Sequence, residues 1–170
     1  MTVPVETERL TLRPWIDADV EPMIAIFGDA ETVRYVGKGY QRGFTADETR
    51  KMVARMRDRC ERDSTCIWPV ILKQTGALIG ECGLFPVADS QDIEIAYVFA
   101  PEARGRGYAV EAGSAVLAYA FETLGLRRVV ALVHAGNARS IAVIRRLGMR
   151  FDRVVRVFQA DALRYVIDAR

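Results

Sequence analysis

Between residues 92 and 113 the chain reads DIEIAYVFAPEARGRGYAVEAG, and this stretch narrows the possible folds more than any other. Ile93 to Phe99 has the composition of a strand, and Pro101 turns the chain. Arg104-Gly105-Arg106-Gly107-Tyr108-Ala109 then opens a run of helical apolar spacing that extends to Leu124. A further strand follows at Val129 to Val133. A strand that returns through a helix to a second strand implies parallel neighbours, so the fold class is α/β. Glycines at the start of the helix let backbone N–H groups approach a ligand with no Cβ between them. The helix start adds unpaired donors and the positive end of the dipole. Together they form an anion site suited to a phosphate or pyrophosphate.

Two phosphate loops fail on this sequence. A Walker loop needs Gly-Lys-Ser/Thr before its helix, and no such step is present. The dinucleotide fingerprint G-x-G-x-x-G is met by Gly105 and Gly107, but Val110 stands at its third glycine. That fold also wants a carboxylate after the next strand; His134-Ala135-Gly136-Asn137 stands there instead, which disfavours a nicotinamide cofactor.

A third template fits. Arg104-x-x-Gly107-x-Ala109 matches the Q/R-x-x-G-x-G/A loop with which the GNAT acyltransferase superfamily grips the pyrophosphate of acetyl-CoA. Thr7-Glu8-Arg9-Leu10-Thr11-Leu12-Arg13-Pro14 resembles the first strand of that family. Asn137 to Met149 (NARSIAVIRRLGM) resembles its N-x-x-S-x-x-x-x-x-x-L-G-F segment. The resemblance runs over nearly the whole chain. It is closest to the branch that includes the ribosomal-protein N-terminal acetyltransferases RimJ and RimL. It implies a mostly antiparallel central sheet with one splayed parallel pair and about four flanking helices.

Composition agrees with a single domain spanning residues 1–170. Net charge is only +2, which argues against nucleic-acid binding. All but Lys38, Lys51 and Lys73 of the 24 basic residues are arginine. No run of about 18 apolar residues occurs, so no membrane span is expected. MTVPVETERL has neither the basic nor the apolar region of a secretory signal, and the expected compartment is the cytoplasm. Cys60, Cys66 and Cys82 are an odd, scattered set, read as free thiols, with no metal-binding pair. A monomer and a homodimer would look alike.

Local signals place the other elements. Leu10 to Arg13 reads as a strand, and Asp17 as the cap of a helix reaching about Phe27. A loop through Gly37-Lys38-Gly39 follows. Thr45-x-x-Glu48 is a capping box for a helix ending near Cys60. Cys66 to Leu72 and Ala77 to Phe85 form a hairpin around Lys73-Gln74-Thr75-Gly76. Asn137 starts a short helix, with Ile141, Ile144 and Leu147 inward and Gly148 ending it. Strands at about Phe151 to Phe158 and Leu163 to Ile167 close the chain.

By resemblance, the splayed pair leaves backbone groups of Tyr97, Val98 and Phe99 for the amides of pantetheine, as though the coenzyme were an added strand. The pyrophosphate would lie on N–H groups of Gly105, Arg106, Gly107, Tyr108, Ala109 and Val110. Arg104 would hold the pyrophosphate or the loop, and Asn137 would touch the cofactor. The implied partner is a primary amine, either a peptide N-terminus or a small molecule.

Acetyl transfer is mainly positioning plus two protons, one leaving the substrate ammonium and one reaching the departing thiolate. For the thiolate the candidate is Ser140, by resemblance to the RimL-like branch. The tyrosine that many GNAT enzymes carry four residues later is Ile144 here. The plain alternative for Ser140 is a first-turn hydroxyl bonded to backbone. For the base the first candidate is Glu94, on the strand face it shares with Ala96 and Val98. The alternative is a solvated sheet residue. Glu81 is a second candidate carboxylate. The glutamate some relatives place at the end of the later strand is Leu132 here. His134, the only histidine, ends that strand and is either structural or catalytic. Cys82 without a histidine partner reads as a core thiol. Arg139, Arg145 and Arg146 offer charge near a 3′-phosphate or to solvent, and Tyr35, Tyr40 and Trp68 are aromatics for an acceptor mouth. A CoA-binding module without catalysis is the rival of another class, motivated by the missing tyrosine and glutamate.

Overall fold

The computed structural model describes residues 5–36, 42–88, 90–157 and 160–169. Gly37-Lys38-Gly39 and Tyr40, named above as a loop and a mouth aromatic, lie outside the described residues, as does Phe158. The chain forms β1 (Val5–Glu6), β2 (Leu10–Leu12), α1 (Val20–Gly28), α2 (Ala30–Val33) and α3 (Ala46–Arg62). Then come β3 (Ile67–Leu72), β4 (Ala77–Pro86), β5 (Ile93–Phe99), α4 (Tyr108–Ala118) and β6 (Arg128–Val133). α5 (Ala138–Arg146), β7 (Arg150–Val157) and β8 (Ala160–Asp168) complete it.

All eight strands join one sheet in the order β1-β2-β3-β4-β5-β6-β8-β7. Every neighbouring pair is antiparallel except β5 and β6. That parallel pair registers at Glu94↔Val130 alone, and β6 residues do not pair with β5 beyond it. The expected mixed sheet with one splayed parallel pair is therefore present.

Local chemistry accounts for most element boundaries. Thr45 and Glu48 form the capping box of α3, with Glu48 N–H donating to Thr45 Oγ1 at 3.2 Å and Thr45 N–H to Glu48 Oε2 at 2.7 Å. Gly148 ends α5 at φ +81°, where a Cβ would be strained. Asp17 does not cap α1. It opens a short turn, Asp17–Asp19, that leads into the helix; there buried Asp19 accepts the Ile16 N–H at 2.8 Å and is held by Arg13, and no side-chain oxygen caps α1 itself. Five α-helices occur among the described residues rather than about four. The extra one is the single turn of α2, where Asp29 accepts the Thr32 N–H at 2.9 Å. α4 does not run evenly to Leu124; its last turn widens at Tyr119–Thr123, with the Leu124 N–H on Tyr119 O at 3.1 Å.

The core lies where the sheet meets its helices. Leu10, Leu12, Phe27, Trp68, Val70, Leu84, Val116 and Val129 are fully buried, each contributing roughly 1.5–3 kcal/mol. Gly113 lets α4 approach both Leu147 and Ile95 closely, so α4 and the end of α5 cover the face of β5 that carries Ile95. Buried Trp68, edge-on to Tyr119, belongs to this core and not to an acceptor mouth. The reading of three free thiols is corrected: Cys60, at the end of α3, and Cys66, just before β3, form a disulfide, and only Cys82 is free. Cys82 is wholly buried, and burial pushes its thiol up, away from the reactive thiolate. Among the described residues no helix is long and apolar enough to cross a membrane, and no group of side chains could hold a metal ion.

Candidate active site

The site grows from the splay of β5 and β6. A Cβ on Gly80 would meet Val98 O at 2.3 Å, so the Val98 carbonyl lies against β4. Strand residues turn their N–H and C=O to the same side, and the side alternates along the chain. Tyr97 and Phe99 therefore direct their backbone groups toward β6, where no ladder receives them. This corrects the expectation for Val98, whose backbone serves β4. It also narrows Phe99, because Phe99 O already accepts Arg104 Nε at 3.2 Å.

Past β5 the chain turns through Pro101–Ala103 into the glycine loop. Gly105 sits at φ +74° and Gly107 at φ +82°, in the left-handed region that favours glycine. Gly107 caps α4, and the first helical bond is Glu111 N–H to Gly107 O at 3.0 Å. The N–H groups of Tyr108, Ala109 and Val110 precede that bond and so have no partner within the helix. Unpaired amides at the positive end of α4 are the donor set a diphosphate requires.

The loop is held from outside. Arg9 Nη1 donates to Arg106 O at 3.0 Å, and its guanidinium lies 4.6 Å from the centre of the Tyr108 ring. The same guanidinium meets Glu111 in the first turn of α4, with Nε 2.6 Å from Oε2. Thr7 Oγ1 and the Arg9 N–H both donate to Glu111 Oε1, at 2.6 and 2.9 Å. Arg104 Nη2 reaches Thr32 Oγ1 of α2 at 2.5 Å. Of the two roles expected for Arg104, holding the loop is the one its bonds describe.

Glu94 stands in the wedge. Its Oε1 accepts the Leu132 N–H at 3.3 Å, two residues past the single pairing point of β5 and β6. Burial pushes its pKa up to about 7, against a small opposing effect of the Leu132 hydrogen bond. The register Glu81↔Val98 and Phe85↔Glu94 puts Glu81 on the same face of the sheet. Glu81 is deeply buried, its Oε2 has no partner, and burial pushes it up to about 8.

Ser140 lies in the first turn of α5. Its N–H donates to Asn137 Oδ1 at 3.1 Å, so the Asn137 side chain caps that helix. The Ser140 hydroxyl does not bond its own helix; it lies 2.8 Å from Tyr97 Oη. The Tyr97 hydroxyl also reaches Ser140 O, at 3.2 Å. Burial pushes Tyr97 up to about 12. Sequence reasoning gave Tyr97 a backbone role only; the signal it passed over is a tyrosine on an inward strand face, whose hydroxyl needs a buried partner. Arg9 and Glu111 carried no local signal, being 102 residues apart.

His134 is exposed at the end of β6, stacked on Tyr35 with ring centres 5.1 Å apart. Its Nδ1 accepts the Gly136 N–H at 3.0 Å, which puts the proton of the neutral ring on Nε2. Tyr35 Oη donates to Gly136 O at 3.2 Å, tying the end of α2 to the loop before α5. Arg139, Arg145 and Arg146 are exposed on α5.

The chain and its fold have counterparts among known proteins. The sequence pattern of the family described as Acetyltransferase (GNAT) domain matches residues 9–150. YoaA of Bacillus subtilis (strain 168), described as an uncharacterized N-acetyltransferase, is 30% identical over 155 residues, or 91% of this chain and 86% of YoaA. The crystal structure of a GNAT-family acetyltransferase from Bacillus anthracis superposes with a TM-score of 0.84 at 26% identity, covering 98% of each chain. RimJ of Mycobacterium smegmatis, solved in complex with CoA-disulfide, shares the fold with a TM-score of 0.77 at 21% identity, over 94% of this chain and 82% of RimJ.

Proposed function

The chain belongs to the GNAT acetyltransferase family, and on that premise we propose that it moves an acetyl group from acetyl-CoA directly to an α-amine, of a peptide N-terminus or of a small molecule, in a ternary complex. Residues 1–170 then act as one catalytic domain. The observation that carries this reading is the splay of β5 from β6, with free amides on one side and a carboxylate poised in the wedge.

The residues fit acetyl-CoA. Backbone groups of Tyr97 and the N–H of Phe99 take the place of a sheet partner for the pantetheine arm. N–H groups from Gly105 to Val110 hold the diphosphate, and Arg104 and Arg9 keep that loop in place. When bound, acetyl-CoA supplies a thioester carbonyl and a thiolate leaving group. Ser140 donates its hydroxyl proton to a hydrogen bond at the sulfur. Glu94 accepts the proton of the substrate ammonium, directly or through water.

The pKa of the amine sets the cost of that proton transfer. An α-ammonium, near 8, loses its proton to a base of about 7 at a cost of about 1 kcal/mol, whereas a lysine near 10.4 needs about 5 kcal/mol. Low-pKa amines are therefore the favoured class. Thiol release from acetyl-CoA tests this with two peptides of one sequence, one with a free N-terminus and no lysine, the other N-acetylated with one lysine. Turnover is expected with the first. Faster turnover with the second, or none across a panel of α-amines, refutes the proposal.

A further inference from the structure

Tyr97 occupies a double position: its backbone faces the splay and its side chain reaches across to α5. The two hydroxyls and the Ser140 carbonyl form a small closed set. Two protons, one on Tyr97 Oη and one on Ser140 Oγ, must be shared among these oxygens and whatever Ser140 faces. If the tyrosine proton goes to Ser140 O at 3.2 Å, the serine proton is drawn back onto Tyr97 Oη. If it goes to Ser140 Oγ at 2.8 Å, the serine proton is released to point elsewhere. The shorter contact is the second. The Ser140 N–H is already taken by Asn137, so the hydroxyl is the one polar group this residue has left for a ligand.

We infer that Tyr97 is a positioning residue that donates into Ser140 Oγ and thereby turns the serine proton toward the sulfur of bound coenzyme. This rests on the reading above, in which Ser140 serves the leaving thiolate. Tyr97 keeps its own proton throughout: burial holds it up at about 12, so it acts as a fixed donor. No proton leaves the pair, and the chain Tyr97 Oη–H, Ser140 Oγ–H, sulfur gains strength because each donor polarises the next.

The test uses coenzyme A itself and needs no acceptor. Free-thiol CoA is titrated on the enzyme by thiolate absorbance, with desulfo-CoA affinity and thermal unfolding as controls. In the wild type the bound thiol titrates below free CoA. Ser140→Ala returns it toward the free value. Tyr97→Phe raises it by about half to one unit, the worth of one hydrogen bond, with desulfo-CoA affinity unchanged within about twofold. In the Ser140→Ala background Tyr97→Phe adds nothing further.

Each departure has its own meaning. If Ser140→Ala leaves the thiol unmoved, the role of Ser140 falls and this inference with it. A thiol moved by Ser140→Ala but not by Tyr97→Phe overturns the inference and leaves the role of Ser140 standing. A Tyr97→Phe effect that persists in the double variant overturns it too, as does weakened desulfo-CoA binding with an unmoved thiol, the mark of a mere structural tie. If Tyr97→Phe does not fold, 3-fluorotyrosine at 97, a stronger donor, replaces it. A lower thiol pKa is then expected, and an unchanged one overturns the inference.

Discussion

Glu94 sits where a carboxylate is hard to ionise, and it is held there by the backbone N–H of Leu132 at 3.3 Å. As a base it works only when deprotonated, so kcat/KM should rise with pH through about 7. Glu94→Gln should remove that limb and lower kcat roughly 10²-fold, leaving a limb near 8 that belongs to a substrate α-amine. Glu81 makes the opposite kind of prediction, about stability. Its folded pKa of about 8 lies above the unfolded value, so the native state holds a proton that the unfolded chain has lost between about pH 4.5 and 8. Stability therefore falls as pH rises across that window. Denaturant unfolding at pH 5 and pH 8 should show the loss, and Glu81→Gln should flatten the slope.

At the scale of elements, the glycine loop depends on support from a distant turn. Arg9 touches the Arg106 carbonyl, the Tyr108 ring and Glu111 at once, so the segment between β1 and β2 braces the start of α4. Arg9→Ala should weaken CoA binding about five- to tenfold by titration calorimetry, with kcat little changed, because Arg9 acts on the loop and not on the reacting atoms. Gly107→Ala should destabilise by about 1–2 kcal/mol, because a Cβ at φ +82° crowds the following carbonyl. Thermal unfolding would measure it, and an unchanged midpoint would contradict the strain.

Across the whole molecule, the sheet has two halves that meet at β5 and β6 with one registered pair. Arg164 of β8 joins them. It is 5% exposed, pairs with Asp92 just before β5 at 2.8 Å, and also bonds Asp152 of β7. The parting that opens the site weakens the sheet, and this buried cation crosses it. Arg164→Met should cost about 2–4 kcal/mol, near the low end for a broken buried pair, because both aspartates keep partial access to water. Denaturation midpoints check it, and a loss under 1 kcal/mol would deny Arg164 that role.

Sequence alone determined what is settled within a few residues. The strand Ile93–Phe99, the glycine turn before α4, the Thr45–Glu48 box and the Gly148 stop all depend on local backbone preference and near-neighbour hydrogen bonds. The family followed from three such local patterns in one order. Tertiary structure decided every contact that needs register: Tyr97 with Ser140 across 43 residues, Arg9 with Glu111 across 102, and Glu94 with the amide of Leu132. It also brought Cys60 and Cys66 together, because their pairing depends on how the end of α3 meets the start of β3. Distance along the chain carries no information about these pairs. Strand order and the angle between β5 and β6 set them, and those arise only when the whole sheet closes on its core.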